Sequence, residues 1–243
     1  MPVPNRFYGA GLPGVDADSL GGVLIVLEGA DGSGRSTQIR LLREWLERRG
    51  HAVTEVGLRR SSLVSKELTA AKEGHTLGHT TMSIFYATDF ADQLEHVMLP
   101  ALRAGYIVLA DRYVYTLLAR DITRGADPEW VERLYGMALV PDAVFYLKVS
   151  PRVLVGRVLE KNGQLDYWES GMDVGLAPDM FDSFVKYQGL MQNQFRRLQE
   201  RYGFEIVNGN RSIRAVNADL RQRLERILGQ RLLDSGALVE AAS

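Results

Sequence analysis

No cysteine occurs among the 243 residues, so neither a disulfide nor a thiolate metal site is available. Long apolar runs are missing too. None approaches the roughly 18 residues that a membrane-spanning helix needs, and no membrane partner is expected. Neither sign of charge is in excess: 29 Lys and Arg face 30 Asp and Glu, for a formal net charge of -1. That balance gives no electrostatic footing for nucleic acid, and no basic stripe with interleaved aromatics appears. Residues 1–21 carry Gly and Pro at intervals without a basic stretch followed by an apolar run. They are expected to form a flexible leader and not a secretory signal. The absence of cysteine fits a reducing cytoplasm, which is the expected location. No internal repeat or low-complexity segment is present.

What is there is an α/β pattern. Hydrophobic residues make up 46% and charged residues 24%, and the length suits one α/β domain with a sizeable core. Val23–Leu27 is a continuous aliphatic run of the kind buried on both faces in parallel sheets. Similar runs occur at Ala52–Val56, Tyr106–Ala110, Ala143–Val149 and Phe204–Val207. Helical spacing covers Thr37–Arg49, Leu63–Lys72, Met82–Arg103 with a late interruption at Pro100, Pro128–Ala138, Asp179–Tyr202 and Ile213–Leu228. Asp127 followed by Pro128 is a helix-start signal. Periodicity is lost over 161–178, which reads as a mobile loop, and a tail follows Gly229. Five strands alternating with helices predict a parallel sheet covered on both faces.

The centre of the chemistry is Gly29-Ala30-Asp31-Gly32-Ser33-Gly34-Arg35-Ser36-Thr37, between the first strand and the first helix. It follows the phosphate-loop pattern G-x-x-x-x-G-K-S/T, with Arg35 in place of lysine. Small residues let successive backbone N–H groups converge on one anion, and the helix start turns its positive dipole end toward it. Ser36 supplies a hydroxyl for Mg²⁺, and the cation at 35 spans the outer phosphates of ATP. All nine residues are therefore expected to bind ATP. Arginine is a wide planar fork and lysine a compact charge, so Arg35 either promotes transfer by bidentate contact or binds nucleotide without promoting it.

Four further segments stand out: Ser83-Ile-Phe-Tyr-Ala-Thr-Asp89, Asp111-Arg112-Tyr113, Pro141-Asp142 before an apolar strand, and Gly163-Gln-Leu-Asp-Tyr-Trp-Glu169. Together with the first strand and the phosphate loop, they resemble the thymidylate kinase family. The resemblance covers about 22–229, with a lid at about 161–178 and a tail at 230–243. It implies a P-loop NTPase fold of three layers, α/β/α, with a five-stranded parallel sheet of the nucleoside monophosphate kinase type. It implies ATP and Mg²⁺ as cofactors and Asp111 as a metal-binding partner of Ser36. Arg112 would clamp the acceptor phosphate, and Asp31 would position the acceptor's sugar and phosphate. Phe85 would stack on the base, with Asp89, Thr116 and Arg120 nearby. Family members are typically homodimers.

The implied reaction is phosphoryl transfer from ATP to dTMP, giving dTDP and ADP, with Arg35, Arg112 and Asp31 as catalytic residues. Departures from the family pattern cluster at charges. Glu55-Val-Gly57 stands for Glu-Pro-Gly, Phe90 and Tyr167 stand for arginines, and Arg120-Asp121 stands for Tyr-Gln. Arg35, with arginines such as Arg59, Arg60 or Arg120, is expected to replace the missing charges. Two other readings remain at this stage: a kinase of another nucleoside monophosphate or phosphorylated metabolite, and a catalytically weak nucleotide-binding regulator.

Overall fold

The computed structural model describes residues 6–74 and 76–241, with side chains through Gly229. Its centre is one sheet of five parallel strands: β1 (Val23–Glu28), β2 (Val53–Gly57), β3 (Ile107–Asp111), β4 (Ala143–Lys148) and β5 (Glu205–Asn208), in the order β2-β3-β1-β4-β5. The expected three-layer α/β/α fold is therefore present. All six residues of β1 are buried because this strand has neighbours on both edges and helices on both faces. Alternate residues serve opposite layers. Leu24, Val26, Val108 and Ala110 join one core, while Val23, Ile25, Ile107 and Leu109 join the other.

The second core is covered by α1 (Arg35–Arg48) and α9 (Ile213–Ala241). The first is covered by α3 (His79–Gln93), α4 (Leu99–Arg103), α5 (Val114–Thr123) and α8 (Met180–Tyr202). The remaining helices are α2 (Ser65–Gly74), α6 (Pro128–Leu134) and α7 (Pro151–Asn162). Asp127 caps α6 by accepting from Trp130 N at 2.8 Å, as its position before Pro128 predicts. Among the described residues no helix is long and apolar enough to cross a membrane.

Several elements differ from the sequence reading. Helix α5 has no counterpart in it: Val114 through Ala119 are all buried, so its first half shows no alternation of buried and exposed positions. Pro100 does not end the helix that begins at His79. A π-helical turn at Leu94–Met98 widens the helix just where proline lacks an N–H and crowds the preceding turn. Helix α9 runs past Gly229 to Ala241. The proposed leader is not loose over its described part. Phe7 and Leu20 are buried, Phe7 bridges Leu139, and Tyr8 N donates to Ala138 O at 2.9 Å. Residues 1–5 lie outside the described residues.

The topology places the chemistry. Strands β3 and β4 flank β1 on opposite sides, so a crevice opens at the carboxyl ends of these strands. Glu28, Gly57 and Asp111 end their strands there, with Gly57 in register with Asp111.

Candidate active site

The segment Gly29–Gly34 turns from β1 into α1 with Gly29, Gly32 and Gly34 at φ 149°, 79° and 95°. These positive values are open to glycine and strained for other residues. Space is short as well, since a Cβ on Gly29 would lie 3.0 Å from the carbonyl oxygen of Leu147. No side chain caps α1 at Gly34, so the first N–H groups of the helix face the loop.

Arg35 is buried and folds back into this loop. Its Nε donates to Asp111 Oδ1 at 2.9 Å. Its Nη1 donates to the carbonyls of Gly29 and Ala30, and Nη2 reaches Asp31 Oδ1 at 3.5 Å. Ser36 Oγ donates to Asp111 Oδ2 at 2.8 Å, so hydroxyl and carboxylate stand together at the loop's exit. Burial alone would raise the Asp111 carboxyl. Arg35 and the Ser36 hydroxyl outweigh it and hold the group below the usual carboxylate range. An ionised carboxylate beside a hydroxyl suits Mg²⁺, which takes few protein oxygens and keeps water and phosphate ligands.

Arg112 follows β3 with φ 72°, an uncommon value for a side-chain-bearing residue. Its Nη2 donates to Asp31 Oδ1 at 2.5 Å. Burial opposes ionisation of Asp31, yet Arg112, Arg35, Arg120 and Lys72 together hold it well below its ordinary range. Arg120 pairs with Glu169, which comes from the expected lid segment, and Arg112 lies 3.8 Å from the same carboxylate.

These groups line two cavities. The larger, about 460 Å³, runs along the phosphate loop to Arg157, Lys161, Arg211 and Ile213. The second, about 190 Å³, is walled by Arg35, Arg59, Arg60, Lys72, Arg112 and Arg120, with Asp31, Asp111 and Glu169 between them. Six cations against three carboxylates make it a place for phosphate. Asp31 and Arg35 belong to both walls. A third, mostly apolar pocket continues from the second past Tyr86, Arg120 and Lys72 to Met82, Leu117, Asp121, Arg124 and Trp168.

The expected residues are thus partly gathered. The phosphate loop, Asp31, Arg35, Ser36, Asp111, Arg112 and Arg120 converge, and Arg59 and Arg60 do line the phosphate cavity. Three others line neither of these two cavities. Thr116 Oγ1 donates to Glu28 Oε2 at 2.5 Å, and Glu28 also accepts from the N–H groups of Tyr113 and Thr116. Glu28 is fully buried, and burial raises its pKa, so this hydroxyl serves the strand end. Asp89, also fully buried, accepts from Arg59 N at 2.7 Å and Ser61 N at 3.0 Å and holds the loop after β2. Phe85 is half-buried and packs against the core, while its neighbour Tyr86 is buried within that core and lines both the phosphate cavity and the apolar pocket.

Tyr86, Lys72 and Arg124 line the apolar pocket and are not expected from the sequence. Tyr86 differs from Phe85 by about 100° around the helix, a step the motif alone does not resolve. Arg124 binds Asp173 through Nε at 2.7 Å and Nη2 at 3.1 Å, and donates to Trp168 O and Tyr187 OH. It pins part of the segment 161–178 that the sequence describes as mobile. Buried Glu169 and Ser170 pin it further.

Residues 27–220 match the model of the family described as thymidylate kinase. The chain is 37% identical over 205 residues to the probable thymidylate kinase 2 of Saccharolobus solfataricus, covering 84% of this chain and 95% of that protein. It is 30% identical over 221 residues to a probable thymidylate kinase of Thermococcus kodakarensis, covering 86% and 100%. A thymidylate kinase of Brachyspira hyodysenteriae is 33% identical over 174 residues, covering 67% and 81%.

Proposed function

This chain belongs to the thymidylate kinase family, and on that premise we propose that it transfers the γ-phosphoryl group of ATP to dTMP, giving dTDP and ADP. The observation that carries the reading is the shared wall. Donor phosphates held by the loop and an acceptor phosphate in the cationic cavity meet at Asp31 and Arg35. The acceptor oxygen is already anionic, so the reaction needs alignment and charge neutralisation more than a base.

Ser36 and Asp111 would hold Mg²⁺, which when bound would neutralise charge on the donor phosphates. The loop amides hold the β- and γ-phosphates, and Arg35 exchanges its carbonyl contacts for the transferring group. Asp31 orients Arg112 toward the acceptor phosphate, and Arg59, Arg60 and Arg120 supply further positive charge. Tyr86 stacks on the base. The segment 163–178 shields the site from water.

The protein is further proposed to work in the cytoplasm as a homodimer. Exposed Ile84 on α3 and Val97 in the π turn support an interface there, checked by light scattering.

The test is ADP release with each nucleoside monophosphate, with the product identified by chromatography. The expected result is dTDP formation that depends on dTMP and Mg²⁺. Tight ATP binding without transfer to any monophosphate would overturn the proposal.

A further inference from the structure

Lys72 ends the polar face of α2 and reads, in sequence, as a basic residue favouring a helix C-terminus. The structure puts it elsewhere. It lines both the phosphate cavity and the adjoining apolar pocket, a position it shares with Tyr86 and Arg120. The junction of those two spaces is where the 5′ end of a nucleoside monophosphate has to lie if its base enters the apolar pocket.

Three of the other cations at this wall are tightly engaged, while Arg60 lies 3.4 Å from Glu55 and 3.6 Å from Asp111 and is 41% exposed. Arg35 is bound to Asp111, Arg112 to Asp31 and Arg120 to Glu169. Lys72 is held more loosely. Its Nζ reaches Asp166 at 3.2 Å and 3.4 Å, and that carboxylate is 45% exposed. A pair of this kind is readily exchanged. The lysine side chain itself is only 15% exposed, so most of its stem is already out of water. Its charge also reaches the site, as one of the groups that depress Asp31. At the same residue, the backbone carbonyl accepts from Trp168 Nε1 at 2.8 Å, which ties this turn of α2 to the lid segment.

We propose that Lys72 is an acceptor-binding residue that trades its ion pair with Asp166 for the phosphate of the incoming monophosphate. The inference rests on the kinase reading above and extends it to a residue of α2. Asp166 then acts as a placeholder: it keeps the ammonium at the junction while the site is empty. The exchange takes place beside the lid turn, because Asp166 Oδ1 also accepts from the N–H groups of Trp168 and Glu169.

The experiment uses the full chain and calorimetric binding of dTMP and of unphosphorylated thymidine, together with steady-state kinetics. Lys72→Met is expected to weaken dTMP binding and raise its KM by roughly ten- to hundredfold, the range for one hydrogen bond to a charged group. The KM for ATP and the affinity for thymidine are expected to stay within about twofold. Asp166→Asn, which keeps the oxygen that caps the turn, is expected to tighten dTMP binding. That gain should vanish in the Lys72→Met background. Equal weakening of dTMP and thymidine by Lys72→Met would overturn the proposal, as would an Asp166→Asn variant that binds dTMP less well. If the unaltered protein binds no monophosphate, the kinase reading itself fails, and that outcome is distinct from a wild-type enzyme indifferent to Lys72→Met.

Discussion

Arg35→Met removes the guanidinium and keeps most of the aliphatic stem, so it isolates the charge at the loop. Asp111, with a side chain only 9% exposed, then loses its 2.9 Å partner. Breaking one side of a buried pair costs about 3–5 kcal/mol. Two features moderate the loss. Asp111 keeps the Ser36 hydroxyl at 2.8 Å, and Arg60 lies 3.6 Å away. Arg112 also benefits, because Arg35 is a like charge that lowers its pKa. The lower end, about 3 kcal/mol, is therefore expected, which for a chain of this size lowers Tm by about 6–12 °C. Turnover falls by about 10²–10³, the usual effect of removing one preorganised donor to developing charge. Arg35→Lys retains a point charge at the loop and is expected to recover much of the turnover while losing the contact with the Gly29 and Ala30 carbonyls. Differential scanning fluorimetry and a coupled ADP assay measure the two effects separately. A Met variant with unchanged kcat refutes a catalytic Arg35, and one with Tm within about 2 °C refutes the structural half of the reasoning.

Other outcomes follow from the contacts of Thr116, Tyr86 and the buried carboxylates. Thr116→Val leaves the fully buried Glu28 without its 2.5 Å donor and is expected to cost about 1–3 kcal/mol, with Thr116→Ser restoring it. A raised dTMP KM at unchanged Tm would instead return Thr116 to the acceptor. Tyr86→Leu is expected to raise dTMP KM about tenfold, the loss of about 1.4 kcal/mol of aromatic contact, whereas Phe85→Leu should leave it near wild type in the same titration. Asp31 and Asp111 both have depressed pKa values in the fold. Their stabilisation is complete above the unfolded carboxylate range near 3.8 and is lost as pH falls below it through the folded values. Thermal melts across pH 2.5–7 should therefore show an acid loss that becomes shallower in Asp111→Asn. Glu28 acts in the opposite sense, since its raised pKa lets protonation favour the fold as pH falls.

The sequence by itself determined the sheet, the phosphate loop and the family. The runs at 23–27, 106–110 and 143–149 can be buried only between helices on both faces, and glycines at 29, 32 and 34 are demanded by backbone angles that other residues resist. Such features are local, so adjacent residues reveal them. The tertiary structure decided which side chains line the cavities. Thr116 and Asp89 lie within recognisable motifs, yet their polar atoms are consumed by Glu28 and by the loop after β2. Phe85 and Tyr86 are adjacent in sequence and face different surroundings, because a helix turns each residue by about 100° and only packing fixes its zero. Lys72, Arg120 and Glu169 come together from α2, α5 and the lid across spans of up to 97 positions. Charges that distant are brought into one cavity by chain topology, and no local pattern records the meeting.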